Sequence, residues 1–162
     1  MNSSPPRGMF IVIISFVIAL GLLLFPLPDF LVWWRPNWVL MVLIYWTMAI
    51  PHRVGIITGW SLGIITDVAL SSVLGVHGLS MAIIAYVILI INNRLRLFPS
   101  WKQAFIVGLM VGLDLVVSLW IQNFISTQPR NATYWLPIFS SIFFWPWLFI
   151  LLRDIRRHFL VG

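Results

Sequence analysis

The sequence predicts an all-α integral membrane protein, a bundle of six transmembrane helices forming one transmembrane domain over residues 1–162. Three observations carry this. The chain is 61% hydrophobic and 9% charged, where soluble domains carry roughly a quarter charged residues, and it has no glutamate. A soluble fold of 162 residues has too little interior for so much apolar side chain. The apolar residues also fall into six runs separated by Pro-, Gly- and charge-containing breaks. Finally, no segment alternates at period two over about ten residues, as a membrane barrel strand does.

The runs are expected as helices over about 9–25, 30–50, 54–70, 79–93, 103–124 and 135–152. The first follows Arg7 and superficially resembles a signal peptide. Its only small-residue pair, Ala19 and Gly21, lies inside the apolar core, so it is expected as a retained anchor. The second run is apolar only from Trp38. It reaches spanning length by borrowing residues 30–34, which places Arg35, Pro36 and Asn37 in its outer portion. The fourth extends into Asn92 and Asn93 while Arg94 snorkels toward the headgroups. In the sixth, Pro146 frees the carbonyl of Ile142 and should kink the helix.

Orientation follows from the cations. With the N-terminus inside, Arg7, Arg53, Arg94, Arg96, Lys102, Arg153, Arg156 and Arg157 are cytoplasmic, and only Arg35 and Arg130 are external. Both termini are then cytoplasmic. These cations form no stripe that could track a phosphate backbone, so the net charge of +6 does not point to nucleic acid. They act as topology determinants and contacts for anionic membrane lipid. The cytoplasmic stretch 93–102 alternates cations with Leu95, Leu97, Phe98 and Trp101, and is expected on the headgroups or a partner there.

Little cofactor chemistry is available. Cysteine is absent, the histidines His52, His77 and His158 fall in separate loops and the tail, and no phosphate-cradling glycine loop occurs, so no metal, nucleotide or other cofactor is expected. Two acids do lie inside apolar runs, Asp67 and Asp114, at an insertion cost of about 2.5 kcal/mol or more each. Counted from the cytoplasmic helix ends they stand about 20 and 16 Å up, at similar depth. Paired level carboxylates would suit an intramembrane aspartyl protease. Asp114 sits in Val111-Gly112-Leu113-Asp114, without the glycine immediately before the aspartate found in presenilin-like proteases. The neighbouring motifs of lipoprotein signal peptidases are missing as well. Structural or partner-binding roles are therefore expected, with Arg35 as the cation that neutralises Asp67. The tight turn Pro51-His52-Arg53 makes the second and third helices an antiparallel hairpin, and the two residues then differ by about 3 Å in depth.

Small residues supply the remaining pattern. Gly55, Gly59 and Gly63 recur every four residues and lead to Asp67, a spacing that lets two helix backbones approach closely. Packing inside the molecule is expected ahead of an intermolecular face. Gly108 and Gly112 repeat the theme, and Asp114, Ser118 and Gln122 form a polar stripe that must face protein or water.

Several of these stretches together resemble the bacterial rod shape-determining MreD family. They are Arg35-Pro36-Asn37-Trp38-Val39-Leu40, Ile50-Pro51-His52-Arg53-Val54, then Gly59, Gly63 and Asp67, then Leu74-Gly75-Val76, and finally Trp145-Pro146-Trp147 with Arg153. The resemblance runs nearly end to end. It implies a non-enzymatic inner-membrane scaffold of the cell-wall elongation machinery. The implied partners are the single-pass protein MreC and, through it, the actin-like MreB filament, RodA and a class B penicillin-binding protein. It also implies a fold distantly similar to the substrate-capturing subunits of vitamin transporters. It brings no catalytic residue with it. Candidate structural or partner-contact residues are Arg35, Pro36, Asn37, Trp38, Arg53, Gly59, Gly63, Asp67 and Asp114. The competing function is a transport or substrate-binding subunit, since unusually short apolar segments such as the second and fourth can mark a midplane site.

Overall fold

In the computed structural model, residues 6–125 and 131–159 are described, and among them every regular element is helical. The helices are α1 (Pro6–Leu24), α2 (Asp29–Val32), α3 (Trp38–Ala49), α4 (Ile56–Ala69), α5 (Val76–Leu95), α6 (Ser100–Ile125) and α7 (Leu136–His158). A 3₁₀ turn, Ala132–Trp135, leads into α7. Among the described residues, three helical stretches are long and apolar enough to cross a membrane: Val76–Leu95, Ser100–Ile125 and Ala132–His158. The shorter apolar helices Gly8–Leu24, Trp38–Ala49 and Ile56–Ala69 pack beside them. The end holding residues 25–37 and 70–78, expected outside from the cation distribution, is called the outer end, and the opposite end the inner end.

The centre of the bundle is α3. All residues from 39 to 48 are buried, which an all-round apolar helix requires. It packs against α1, α5, α6 and α7. On the α1 side, Trp46 Nε1 donates to Ser15 Oγ at 2.8 Å. On the α7 side, the Tyr45 and Phe149 rings meet edge-on at 5.6 Å. Helix α4 lies at the periphery and packs chiefly on α5.

Three of the differences from the expected boundaries have a cause in particular residues. The second run does not stay helical from 30 to 50. It breaks after the single turn α2, because Pro36 disfavours helical backbone at Arg35 and carries no N–H. The chain re-enters helix at Trp38, where the Asn37 side chain accepts from the Leu40 N–H at 3.3 Å. The fourth run begins at Val76 rather than 79, released by Gly75 in the left-handed region at φ 99°. The sixth runs through Pro146 and continues past 152 to His158, with Leu152 keeping one face buried. Arg130, one of the two expected external cations, lies outside the described residues.

Candidate functional site

The two membrane-depth carboxylates are both buried at the outer end, Asp67 at 0% and Asp114 at 1% exposure. They are held by different partners. Asp67 closes the last turn of α4, and the loop after it folds back over the carboxylate. Ser72 Oγ donates to Oδ1 at 2.8 Å, and the Gly75 and His77 N–H groups donate to Oδ2 and Oδ1 at 2.9 and 3.1 Å. His77 Nδ1 lies 2.8 Å from Oδ1 and acts as the donor, since a carboxylate accepts. The loop reaches this shape through Ser71 at φ 51° and Gly75 at φ 99°. Gly75, the residue before α5, has no side chain to cap the free N–H groups there, so the carboxylate of the preceding helix does it.

Asp114 joins the other helices. Ser80 Oγ of α5 donates to Oδ1 at 2.6 Å, and Asn37 Nδ2 donates to Oδ2 at 3.0 Å. The Asn37 N–H in turn donates to Ser141 Oγ of α7 at 3.2 Å. One carboxylate on α6 thereby links α5, the start of α3 and, through Asn37, α7. Ser118, one turn further along α6, is also buried, as a polar stripe facing protein requires, although its hydroxyl has no partner among the described residues.

The expected Arg35–Asp67 pair does not form. Arg35 Nη1 and Nη2 donate instead to the carbonyls of Leu23 and Phe25 at the end of α1. The break at Pro36 carries Arg35 off the α3 axis toward α1, and the carboxylate it was to neutralise is enclosed by backbone N–H groups and His77. Pro36 itself is buried, and Trp38 packs on Phe144 with ring centroids 5.4 Å apart. Arg53 ends the inner turn, where its N–H and that of Val54 both donate to the Ile50 carbonyl at 3.0 Å.

The glycine stripe faces inward, onto α5. A Cβ on Gly59 would stand 2.8 Å from the Met81 carbonyl oxygen and 3.1 Å from Ala85 Cβ. One on Gly63 would fall on the backbone of His77 and Gly78. Gly55 continues the line against Leu89 at 3.5 Å. On α6, Gly108 and Gly112 meet only the side chains of Ile142 and Ile138.

His77, Ser72, Ser80 and Ser141 are the members of this region that the sequence did not single out. A helix expected from 79 leaves His77 in a loop, whereas α5 begins at Val76 and takes it in. The available signal was Gly75, a helix-leading glycine that calls for an acceptor from elsewhere. Among the described residues no group of three His, Asp or Glu side chains converges as a metal site would need.

Residues 7–155 match the family described as rod shape-determining protein MreD. The rod shape-determining protein MreD of Haemophilus influenzae is 37% identical over 150 residues, covering 91% of each chain. The chain belongs to the MreD family. No solved structure matches it. Family membership gives it a rod shape-determining role in the membrane, and the MreD match takes in both carboxylate clusters, the Arg35–Trp38 entry and the glycine stripe.

Proposed function

We propose that the protein is a non-enzymatic scaffold of lateral cell-wall elongation, one transmembrane domain in the bacterial inner membrane with both termini in the cytoplasm. It assembles an MreC-like single-pass protein and, through it, the MreB filament, RodA and a class B penicillin-binding protein. The observation that supports this beyond family membership is the use made of the two membrane-depth acids. Both are buried, and the donors around them come from helices and loops of the same chain. Such an arrangement holds helices in register and presents a rigid body to partners. A protease would need its carboxylates open to water and substrate, and a substrate-binding subunit would need polar groups turned toward a ligand.

Affinity purification of the full chain from membranes of a rod-shaped bacterium tests the proposal. Recovery of a single-pass MreC-like partner, lost together with rod shape when α4 is forced off α5, supports it. Recovery of a tightly bound small molecule without a membrane partner favours transport and overturns it.

A further inference from the structure

A second polar region lies at the inner end, where α3 and α7 come together with the α5–α6 connection. There a cavity of about 230 Å³ is lined by residues that include Tyr45, Arg96, Gln103, Phe149, Arg153 and Arg156. Three arginines line this space and no acid does. The ion pair formed among the described residues is His77–Asp67, at the other end of the bundle.

The three arginines are not equivalent. Arg96 is occupied, its Nε donating to the Met48 carbonyl at 2.8 Å and to Asn92 Oδ1 at 3.1 Å. Its Nη2 also reaches the Met48 and Ala49 carbonyls, capping the end of α3. Arg153 lies over the Phe149 ring, 6.0 Å from its centroid, and its buried Nε has no acceptor. Among the described residues, Arg156 has no carboxylate within ion-pair distance.

Gln103 adds a complementary feature. It is 3% exposed, and its Nε2 donates to the Leu95 and Phe98 carbonyls, both at 3.1 Å. Two acceptors on one side fix which way the amide faces, so the buried Oε1 is the atom left without a donor. A buried donor and a buried acceptor, each unpartnered, thus belong to the wall of one cationic cavity, and leaving such groups unpaired is costly.

We propose that this cavity binds a phosphate group that carries a hydroxyl or ammonium donor, the phosphate on Arg153 and Arg156 and the donor toward Gln103. The forked donors of arginine match phosphate oxygens better than a point charge does. The cavity is smaller than the roughly 300–1,000 Å³ that encloses a drug-sized ligand, and suits a headgroup alone. The α5–α6 connection and the start of α6, between Arg96 and Gln103, expose Leu97, Phe98 and Trp101, apolar side chains suited to the acyl-chain boundary beside a headgroup. The ligand is therefore a phosphatidylglycerol- or phosphatidylethanolamine-type lipid rather than a soluble phosphate ester. This site goes beyond the scaffold function and stands without it.

Native mass spectrometry of the full chain in neutral detergent, titrated with lipid, tests the site. Phosphatidylglycerol binds, and phosphatidylcholine, which has the phosphate but no donor, binds about tenfold more weakly. Arg153→Gln and Arg156→Gln each weaken phosphatidylglycerol binding about tenfold. Arg94→Gln, an exposed cation that does not line the cavity, changes it less than about twofold. Arg156→Lys keeps the charge but loses the fork and falls between wild type and Arg156→Gln, which decides the matter should Arg153→Gln fail to fold. Equal losses from Arg94→Gln and Arg156→Gln would reduce the site to diffuse positive charge and overturn it. Equal binding of phosphatidylcholine overturns the donor requirement. Glycerol 3-phosphate binding as tightly as the lipid overturns the lipid assignment. Displacement of the lipid by an equimolar glutamate-rich peptide overturns it in favour of a protein segment.

Discussion

The two ends of the bundle treat buried charge differently. At the outer end, acids are enclosed, and the loop or helix that approaches each one donates to it. Asp67 takes N–H groups from the start of α5, and Asp114 takes Ser80 and Asn37. At the inner end, cations gather around a cavity, and both Arg153 Nε and Gln103 Oε1 are buried without a partner. The contrast teaches where rigidity resides. Backbone meets backbone at the outer end, through Gly63 against Gly78, whereas the inner end is closed by long side chains that can rearrange.

The comparison breaks if substitutions at the outer end do not outrank those elsewhere. The largest effect is expected for Gly63→Leu. Its side chain has only the α5 backbone to move against, so the α4–α5 pair must separate, at a cost of about 3 kcal/mol or more. Thermal unfolding of the purified protein in detergent should show it as the lowest midpoint of the series, and cells carrying it should round up. Asp67→Ala comes next, at about 2 kcal/mol, because the start of α5 loses its cap and several buried donors lose their acceptor. The same measurement sharpens the assignment of Arg35. With Asp67→Ala and Arg35→Gln combined, the losses should add to within about 0.5 kcal/mol, as for sites without shared partners. A larger coupling would restore the ion pair. At the inner end, Arg96→Gln uncaps α3 and should cost about 1 kcal/mol, read from the same melting curves. Gly112→Ala is expected to be the mildest, within about 1 kcal/mol of wild type, since the added methyl meets only the Cδ1 tip of Ile138, at 3.4 Å.

The sequence made much of the architecture legible because the bilayer imposes it. Apolar runs between breaks had to be helices, and Gly55, Gly59 and Gly63 at four-residue spacing had to meet another backbone. The two acids were legible as buried groups for the same reason. Their partners were not. Pairing Asp67 with Arg35 rested on counting depth along two continuous helices, and the break at Pro36 removed one of them. The true partners come from a loop whose path depends on positive φ at Ser71 and Gly75, and residue spacing carries no direct record of that path. The link from Asp114 to Ser80 and Asn37 joins residues 34 and 77 positions away, a choice of neighbours that helical periodicity does not specify.

The shortness of α3 has a consequence for how the protein enters the membrane. Twelve residues rise about 18 Å, well under the ~30 Å of hydrocarbon, so α3 cannot stand in lipid as an independent span. Asn37 lies at its outer end, bonded to Asp114 and Ser141, and Arg96 caps its inner end from α5. Those partners are all synthesised after α3 itself. The ends of this central helix are therefore expected to stay unsatisfied during insertion, with α3 reaching its final depth only once α5, α6 and α7 have arrived. Truncation after α4 should accordingly leave the N-terminal segments degraded or held at the insertion site, while a chain that continues through α7 is stable.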